Sequence, residues 1–453
     1  MTPPSSALTA LEPMAESIQS YPPSSQISFN QEQICLLEAF YPGTRAYNAQ
    51  LVVHLNGAFD PATLERAVND VIARHESLRT TITLQARGYQ AQVHPQFHFK
   101  VDIHDISDVP EARQEDRFAA LKAECTSRTF DLETLPLMDI RAVRFRADKW
   151  RLIHVEHHAI HDGWSLGLLW HEIQQTYNAL KKGRTPRLAA PPVQYQQFVA
   201  WQRARMQGDY GRQAISFWRD YLDGTSPEIS ISSRHSDGSS LDGRNYEVNL
   251  SPDRFAAVKA AARRFSVSNF VVMFSVFSAL LAKASGETDF AVGTAVNART
   301  EVELEPMIGM VVNTVPLRVR VQPGEAWRSV CRTVQSSLFR ALRYQDLPLS
   351  HLIRELGVVQ KKGKNPIFQH CFSFHDSRVP KIEMENIDGY IKETQNQTAK
   401  FDINVIVIPA SADRGTVETR MFWQFSDSLF SHEDCCQLIE EYLILLGAIS
   451  EAE

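Results

Sequence analysis

The stretch His154-Val155-Glu156-His157-His158-Ala159-Ile160-His161-Asp162-Gly163-Trp164-Ser165 is the most informative part of this 453-residue sequence. Four of the chain's fifteen histidines fall within eight of these residues. The residues from Leu152 to His157 have the character of a β-strand, and Ser165 is expected to cap the helix that follows. The apolar stripe of that helix comprises Leu166, Leu169, Trp170, Ile173, Tyr177 and Leu180. The sequence therefore predicts a strand, a polar loop and a helix, and places the histidines in and beside the loop.

A metal site is the first interpretation of this cluster, because histidine and carboxylate side chains are common metal ligands. The alternation of a strand puts His154 and Glu156 on the face opposite His157. No HExxH or HxHxDH pattern is present in the sequence. The spacing therefore argues against a metal centre.

A serine hydrolase is the second interpretation, because Gly163-Trp164-Ser165-Leu166-Gly167 has the form G-x-S-x-G between a strand and a helix. A nucleophile elbow places its serine immediately beyond the strand and needs a second amide donor for the oxyanion. Here a polar loop separates the strand from Ser165, and no glycine-rich segment precedes it. The sequence favours a helix cap at Ser165 over a nucleophile.

A transferase is the third interpretation. One histidine at the end of a strand can accept a proton from an amine or hydroxyl that attacks a thioester, without a covalent enzyme intermediate. A carboxylate four residues later can hold the loop through an arginine. A surface loop whose histidines are solvated or satisfied by packing is the remaining alternative.

The composition of the chain argues against several other classes of protein. Apolar residues make up 43% and charged residues 22% of the chain, and the net charge is −6, so no overall positive field recruits nucleic acid or an anionic membrane. Six scattered cysteines show no metal or disulfide pattern, which favours a reducing cytoplasm. The apolar stretch from Ser266 to Ala282 contains several serines and predicts a buried helix, since a membrane span needs about 20 apolar residues.

The pattern along the chain predicts two α/β lobes after a proline-rich and serine-rich disordered tail at residues 1–27. The strand Gln50 to Leu55 is followed by a helix that Asp60 caps and Pro61 opens, and the strand Tyr246 to Leu250 is followed by Ser251-Pro252. Residues 224–243 are rich in serine and predict an interlobe loop. The expected domains are therefore residues 28–223 and 224–453.

At this point the residues resemble a known family. His157-His158-Ala-Ile-His161-Asp162-Gly163 is similar to the HHxxxDG signature of the condensation domains of nonribosomal peptide synthetases, relatives of chloramphenicol acetyltransferase. Further motifs of that family are resembled, in order, by residues 28–33 (SFNQEQ), 74–80 (RHESLRT), 195–201 (YQQFVAW), 308–314 (IGMVVNT), 344–348 (YQDLP), 365–368 (NPIF) and 425–430 (FSDSLF).

The resemblance implies two chloramphenicol-acetyltransferase-like lobes that form a V-shaped pseudo-dimer, with a tunnel between them. Two carrier proteins would present phosphopantetheine-linked substrates from opposite ends, and an adenylation domain would lie beside the chain. No bound cofactor or metal, no nucleic acid and no membrane is expected. The reaction would be attack of an aminoacyl amine on a donor acyl thioester.

The resemblance also implies roles for individual residues. His158 has the central role, either as the base or as the group that holds the amine, and Gly163 offers its amide to the oxyanion. His157 is structural, and Asp162 is a loop clamp whose partner is expected to be Arg299. Four residues are expected to contact substrate (Trp164, Ser165, Asn313 and Ser373), and Arg79 is expected to be structural.

The donor is the least constrained part of this interpretation. The chain begins about 27 residues before the first motif and Val315-Pro316-Leu317-Arg318 is similar to starter-type members, so the sequence favours an N-acylating starter domain. Its donor would be a fatty acyl group on coenzyme A or a carrier protein. The alternatives are an internal domain with a peptidyl or polyketide donor, a non-catalytic docking module, and an esterase that uses Ser165.

Overall fold

The computed structural model describes residues 17–226, 228–234, 236, 238–359, 362, 364–375, 381–410 and 418–452. The helices within these ranges are α1 (Phe29–Phe40), α2 (Pro61–Arg74), α3 (Glu111–Thr126), α4 (Gly163–Lys181), α5 (Tyr195–Gln207), α6 (Asp209–Leu222), α7 (Pro252–Phe265), α8 (Asn269–Ser285), α9 (Trp327–Leu342), α10 (Leu349–Leu356) and α11 (His432–Glu451). The strands are β1 (Asn48–Gly57), β2 (Thr80–Gln85), β3 (Gly88–Val93), β4 (Asp102–Asp105), β5 (Met138–Arg146), β6 (Lys149–His157), β7 (Gly243–Leu250), β8 (Asp289–Val296), β9 (Asn313–Arg320), β10 (His370–Phe374), β11 (Ile387–Thr394), β12 (Ile403–Ile408) and β13 (Thr419–Ser426).

The predicted repeat of a strand and a capped helix is present twice. Asp60 caps α2 and Ser251 caps α7, and each helix has proline in its first turn, where the missing N–H costs nothing. α2 follows β1 in the first sheet, and α7 follows β7 in the second. The predicted α/β class with two lobes is confirmed.

The first sheet has the order β11-β1-β6-β5-β4. β1 pairs antiparallel with β6 on one side and antiparallel with β11 on the other. β11 belongs to the second half of the chain, so the expected boundary that gave residues 224–453 entirely to one lobe is wrong. The reason is that β11 pairs along most of β1, whose backbone would otherwise be an open sheet edge.

The second sheet has the order β7-β13-β12-β10-β8-β9, with β10 parallel to β12 and β8. Helix α6 lies before the expected boundary, yet Trp218 and Tyr221 pack in the core of this second lobe. The tyrosine hydroxyl accepts a hydrogen bond from the backbone of Arg318, on β9, at 2.9 Å. Each half of the chain therefore contributes an element to the opposite lobe.

The expected tail at residues 1–27 also needs correction. Residues 1–16 lie outside the described residues, but residues 17–27 are folded. Ser17 caps a short 3₁₀ turn, and Ile18 and Ile27 are buried against the rest of the chain. The backbone of Ser24 donates to the carbonyl of Gln196 at 3.1 Å. The proline content of this segment predicted disorder, but burial of the two isoleucines stabilises the folded segment because it removes apolar surface from water.

The apolar stretch predicted to be a buried helix forms α8, which Ser268 caps. Ser266 instead ends α7 in a left-handed conformation, with φ of 58°. No single helix in the described ranges is long and apolar enough to cross a membrane; α7 and α8 pass that test of length and composition only as a pair, which is bent by 98°.

Helix α5 joins the two lobes through close packing at Gly309. A Cβ added to Gly309 would lie 2.0 Å from the ring of Tyr195. That ring is fixed, because Tyr195 is 1% exposed and its hydroxyl lies 2.9 Å from Ser28 Oγ and 2.8 Å from the carbonyl of Met310. A glycine at this position therefore lets the segment before β9 approach the first lobe.

We expect Gly309→Ala to destabilise the chain by about 1–3 kcal/mol, the usual cost of overpacking a tight core. Urea unfolding measures the loss. Gly447→Ala is the matched control, because Gly447 lies inside α11 with nothing within 4 Å of its added Cβ. The control is expected to stabilise the chain by up to about 1 kcal/mol through helix propensity. Equal stability of the two variants would contradict the packing argument.

Candidate active site

His157 ends β6 and faces into the first lobe. Its Nδ1 accepts a hydrogen bond from the amide of Ala159 at 3.2 Å, so the ring proton lies on Nε2 and points at Glu38, 2.6 Å away. The side chain is 1% exposed. Both ring nitrogens are thus occupied within the protein, and His157 holds the start of the loop in place.

His158 is the first residue of the turn that follows β6, and its side chain is less buried than that of His157. Its Nδ1 lies 3.4 Å from the carbonyl of His161, which can only accept, so Nδ1 carries the proton and Nε2 carries the lone pair. Among the described residues Nε2 has no hydrogen-bond partner. Burial, together with His161 and Lys400, lowers the pKa of His158 well below the usual histidine value. His158 is a neutral, half-buried acceptor.

A buried polar cluster lies behind that ring. His161 stacks on His158 with ring centroids 4.6 Å apart, and its Nδ1 donates to the carbonyl of His157. Its Nε2 faces Glu156 Oε1 at 3.3 Å. Neither of these two buried atoms has a hydrogen-bond partner among the described residues, and burial lowers the pKa of His161. On the other side of the carboxylate, His154 Nε2 lies 3.5 Å from Glu156 Oε2.

The charge on this cluster follows from its contacts. Burial raises the pKa of Glu156, but the two neighbouring imidazoles outweigh burial and leave that pKa below its usual value. After burial, His161 is the largest influence that lowers the pKa of His158, and the cluster therefore helps to keep Nε2 of His158 unprotonated.

Asp162 is fully buried and caps α4, accepting the amide of Ser165 at 2.9 Å. Its carboxylate forms a two-pronged ion pair with Arg299, with Oδ2 2.7 Å from Nη1 and Oδ1 3.1 Å from Nη2. It also accepts the amides of Val311 and Val312, each at 3.0 Å. Burial alone would raise the pKa of Asp162, but Arg299 and these donors hold it below its usual value. The expected contact between Asp162 and Arg299 is present, and it joins the loop to the second lobe.

Ser165 is not the helix cap that the sequence predicts. Asp162 is the cap, because its carboxylate reaches the amide of Ser165 inside the first turn. The Ser165 hydroxyl is fully buried, donates to the carbonyl of Gly309 at 3.0 Å and accepts from Arg299 Nη2 at 3.0 Å. The Ser165 hydroxyl is thus occupied within the protein, and a nucleophilic role has no support in this geometry, while its expected contact with substrate stays a prediction.

Gly163 and Trp164 open α4 at the junction of the lobes. Gly163 is exposed, and its amide has no acceptor among the described residues, as befits the first turn of a helix. Trp164 is 38% exposed, and its Nε1 donates to the carbonyl of Glu305 at 2.8 Å. The amide of Gly163 is thus free for a ligand, whereas the indole N–H of Trp164 already spans the two lobes.

The remaining predicted residues serve the scaffold or line its wall. Asn313 donates to the carbonyls of Gln345 and Leu347 and accepts from the amide of Leu349, so its side chain serves the scaffold, while its expected contact with substrate stays a prediction. Ser373, on β10, is 3% exposed and its hydroxyl accepts the amide of Ala295 at 3.3 Å. This burial leaves Ser373 little room for substrate.

Residues of two further motifs form hydrogen bonds and ion pairs that support the site. Arg79, expected to be structural, donates to the carbonyl of His94 at 2.5 Å. In the same motif Arg74 and His75 lie 3.0 Å and 2.9 Å from Glu172, which ties α2 to α4. In the opening motif Gln31 donates to the carbonyl of Ala159 at 2.9 Å, inside the catalytic loop.

Sequence reasoning missed three groups at the site. Glu156 and His161 were visible within the histidine-rich stretch, and the alternation of the strand could have flagged Glu156 as an inward-facing carboxylate. Lys400 carried no local signal in the sequence, since it lies far along the chain from the other site residues. Its Nζ lies 4.5 Å from the centre of the Tyr47 ring, and the backbone carbonyl of Tyr47 accepts a hydrogen bond from the amide of His158. The described residues contain no cluster of three or more histidine, cysteine or acidic side chains with the geometry of a metal site.

Two α/β lobes with a neutral histidine at their junction define a two-lobed acyltransferase. The family model of the condensation domain matches residues 24–452, and the chain belongs to this family. Condensation domains catalyse amide-bond formation in nonribosomal peptide synthetases and need no metal cofactor.

Relatives in sequence are large synthetases. The chain is 29% identical over 428 residues to a linear gramicidin synthase of Brevibacillus parabrevis, covering 93% of this chain and 5% of that protein. It is 27% identical to phosphinothricin tripeptide synthetase PhsC of Streptomyces viridochromogenes, covering 94% and 39%. The chain thus spans well under half the length of these relatives.

Similar structures confirm the fold. The X-domain from teicoplanin biosynthesis has a TM-score of 0.84 at 20% identity, covering 97% of each chain. The starter condensation domain of rhizomide synthetase in complex with C8-CoA has a TM-score of 0.83 at 19% identity, covering 96% of each chain. The first condensation domain of the calcium-dependent antibiotic synthetase has a TM-score of 0.79 at 19% identity, covering 94% of this chain and 96% of that one.

We expect Arg299→Met to cost about 3–5 kcal/mol of stability, because it leaves the Asp162 carboxylate buried without a partner. In the parent, the stability due to the lowered pKa of Asp162 is present above the ordinary carboxyl pKa and is lost as the pH falls through the lowered value. Urea unfolding at neutral pH measures the cost.

Arg320→Met is the matched control for this substitution. Arg320 pairs with Asp289 in the same lobe, but its side chain is 59% exposed, so its loss should cost less than about 1 kcal/mol. A cost for Arg299→Met no greater than that of the control would show that Asp162 does not depend on its arginine.

Proposed function

We propose that this chain joins a donor acyl thioester to the amine of an aminoacyl thioester held on a carrier protein. The observation that carries the proposal is the tautomer of His158, whose Nε2 lone pair is free while its Nδ1–H is held by the carbonyl of His161. An amine that approaches between the lobes would find a hydrogen-bond acceptor already oriented. The free amide of Gly163 lies in the same loop, at the positive end of a helix dipole.

The reaction balances with the groups in this site. The amine nitrogen attacks the thioester carbonyl carbon, a C–N bond forms, and the carbonyl electron pair moves to oxygen. The oxyanion then collapses, the C–S bond breaks, and the sulfur leaves with the electron pair. The amine proton passes to His158 Nε2 and from there to the sulfur, giving an amide and a free thiol. No covalent enzyme intermediate is needed.

The electrostatics favour holding the amine over strong base catalysis. A general base works best with a pKa near the operating pH, and the pKa of His158 is lowered well below the usual value. A neutral imidazole of low basicity still accepts a hydrogen bond and orients the nitrogen lone pair toward the carbonyl. Proton uptake by His158 then follows bond formation, when the nitrogen has become acidic.

Carrier proteins fit the proposed substrates. The gramicidin synthase named above is many times longer than this chain, and the family condenses substrates held on carriers. The substrates would therefore arrive on phosphopantetheine arms or on coenzyme A. An adjacent adenylation domain would load the acceptor carrier.

A fatty acyl donor of the starter type is our proposal for the first substrate. It is supported by the similarity in fold to a starter domain crystallised with C8-CoA. The cue from residues 315–318 gives no direct support, because Val315 and Leu317 are buried in the second-lobe core and Arg318 pairs with Asp289. A peptidyl donor is the alternative, as internal condensation domains have a similar fold.

A docking module is a second candidate function. The X-domain that is similar in fold forms a complex with OxyB. A module that served only docking would not depend on the free Nε2 of His158, so that atom favours catalysis.

We expect His158→Ala to lower the rate of amide formation by between about 10²- and 10⁴-fold, because it removes the acceptor that is proposed to hold the amine. Mass spectrometry of an aminoacyl-loaded carrier, after addition of an acyl-loaded donor, measures the product.

His171→Ala is the matched control, since His171 is exposed on α4. It should leave the rate unchanged. Condensation by His158→Ala within a few-fold of the parent would refute the proposed role. Ester hydrolysis that Ser165→Ala abolishes would instead support the esterase alternative.

We expect the parent to prefer fatty acyl donors when acyl-coenzyme A, acyl-carrier and peptidyl-carrier are offered together. The physical basis is that an apolar chain gains free energy from each buried methylene, whereas a peptide must satisfy its polar backbone. The ratio of the products by mass spectrometry is the measurement. A preference for the peptidyl donor would overturn the starter assignment and leave the condensation proposal intact.

A further inference from the structure

Lys400 projects from the second lobe onto the first, beside the catalytic histidine. It lies just before β12, in a segment that is fixed on both sides. Ala399 donates its amide to the carbonyl of Leu241 at 2.8 Å, and the Asn396 side chain donates to the carbonyls of Arg45 and Asn48 at 2.6 Å and 3.0 Å. The last two contacts flank Tyr47, so the lysine is aimed at one defined place.

That place adjoins His158. The Lys400 ammonium lies over the face of Tyr47, with Nζ 4.5 Å from the ring centre. The same tyrosine ring stands edge-on to His158, with centroids 6.3 Å apart. The amide of His158 is bonded to the carbonyl of Tyr47 at 2.8 Å. Tyr47 therefore contacts both the lysine and the ring of His158.

Lys400 has no counter-charge among the described residues. Burial raises the pKa of the Tyr47 hydroxyl and raises the pKa of the Cys371 thiol to about 12, so both are neutral. His158 is neutral as well. Asp402, two residues along, has a pKa raised to about 6 by burial and responds to Lys364 and Glu228. No ion pair and no hydrogen bond within the described ranges includes the Lys400 ammonium.

A partly buried ammonium without an ion-pair partner costs free energy unless a ligand accepts its hydrogen bonds. Burial penalises the charged form and lowers the pKa of Lys400 to about 8. The face of the Tyr47 ring accepts no conventional hydrogen bond, so the N–H donors of Lys400 remain available to an oxygen that gains negative charge. The donor thioester provides such an oxygen when its carbonyl is attacked.

We propose that Lys400 donates a hydrogen bond from Nζ to the carbonyl oxygen of the donor thioester and stabilises the negative charge that forms there. This inference rests on the proposed condensation reaction. As the amine nitrogen bonds to the carbonyl carbon, the electron pair moved to oxygen lies against the ammonium. When the C–S bond breaks, the carbonyl re-forms and the ammonium keeps its three protons. The lysine is neither consumed nor acylated.

The proposal gives the rate a dependence on pH with a defined sign. Lys400 must be charged to act, so the rate of the parent should fall as the pH rises through about 8, where Lys400 loses its proton. His158, whose pKa is far lower, does not titrate there, and Tyr47 and Cys371 titrate only at higher pH. The alkaline limb of the profile should therefore belong to Lys400.

Lys400→Met tests this directly, since methionine keeps the length of the chain without the charge. We expect kcat to fall by about 10²-fold, the usual cost of removing one oxyanion donor, with KM for both thioesters changed by less than about three-fold. The alkaline limb near pH 8 should disappear. Lys400→Arg should recover part of the rate and move the limb beyond the measured range, because arginine stays charged.

Lys392→Met is the matched control, since Lys392 is exposed on β11, and it should change neither the rate nor the profile. Thermal unfolding of Lys400→Met should show a loss of stability no greater than about 1 kcal/mol, because no ion pair is broken and only the contact with the Tyr47 ring is lost. A rate for Lys400→Met within three-fold of the parent, or an alkaline limb that persists in that variant, would overturn the proposal.

A measurement without turnover separates this inference from the proposed function. NMR titration of the parent labelled with ¹³C at lysine Cε should show one resonance that titrates near pH 8 and is missing from Lys400→Met. If that resonance is present but the parent forms no amide from any donor, the condensation proposal fails. If amide forms and the resonance titrates like an ordinary lysine, the inference about Lys400 fails.

Discussion

The buried ion pair between Asp162 and Arg299 is the contact on which the site depends. Asp162 satisfies three amide hydrogens, one in its own helix and two in the segment before β9, and Arg299 neutralises its charge. A carboxylate with no exposed surface can remain ionised only with such partners. The catalytic loop therefore has one position relative to the second lobe, and that position decides what His158 faces.

The four histidines of one short stretch carry out different tasks because their surroundings differ. Both ring nitrogens of His157 are hydrogen-bonded within the first lobe, to Glu38 and to the amide of Ala159. His154 and His161 flank the carboxylate of Glu156 in the interior. Only His158 keeps a free nitrogen at the junction of the lobes. The density of histidine marks the candidate site, whereas the hydrogen bonds of each ring show which one can still accept a hydrogen bond from a substrate.

The two lobes are similar in plan but are not independent halves of the chain. β11 completes the first sheet from the second half, and α6 enters the second core from the first half. These exchanges bury surface that a simple division would expose, and they connect the lobes on both sides of the site. Lys400 follows from the same arrangement, because the chain returns from β11 past the first lobe before it enters β12.

The sequence by itself determined the local structure and the chemistry of the loop. Period-two and helical patterns with capping residues placed β6, α2, α7 and α8, whereas His158 and Asp162 were assigned through the resemblance of residues 157–163 to a family motif. Such signals are local, since they depend on residues close together along the chain. They also gave the pairing of Asp162 with Arg299, although only through the resemblance to a family.

Tertiary structure alone decided what depends on distant residues. It replaced Ser165 by Asp162 as the cap, used up Asn313 and Ser165 in scaffold hydrogen bonds, and folded residues 17–27 onto the core. It also brought Lys400 to Tyr47 across 353 positions of the chain. None of these contacts produces a periodic pattern in the sequence, because burial and the use of hydrogen-bonding groups are properties of the packed molecule. The sequence thus pointed to His158 as the candidate for the central role, and only packing showed which groups remain free beside it.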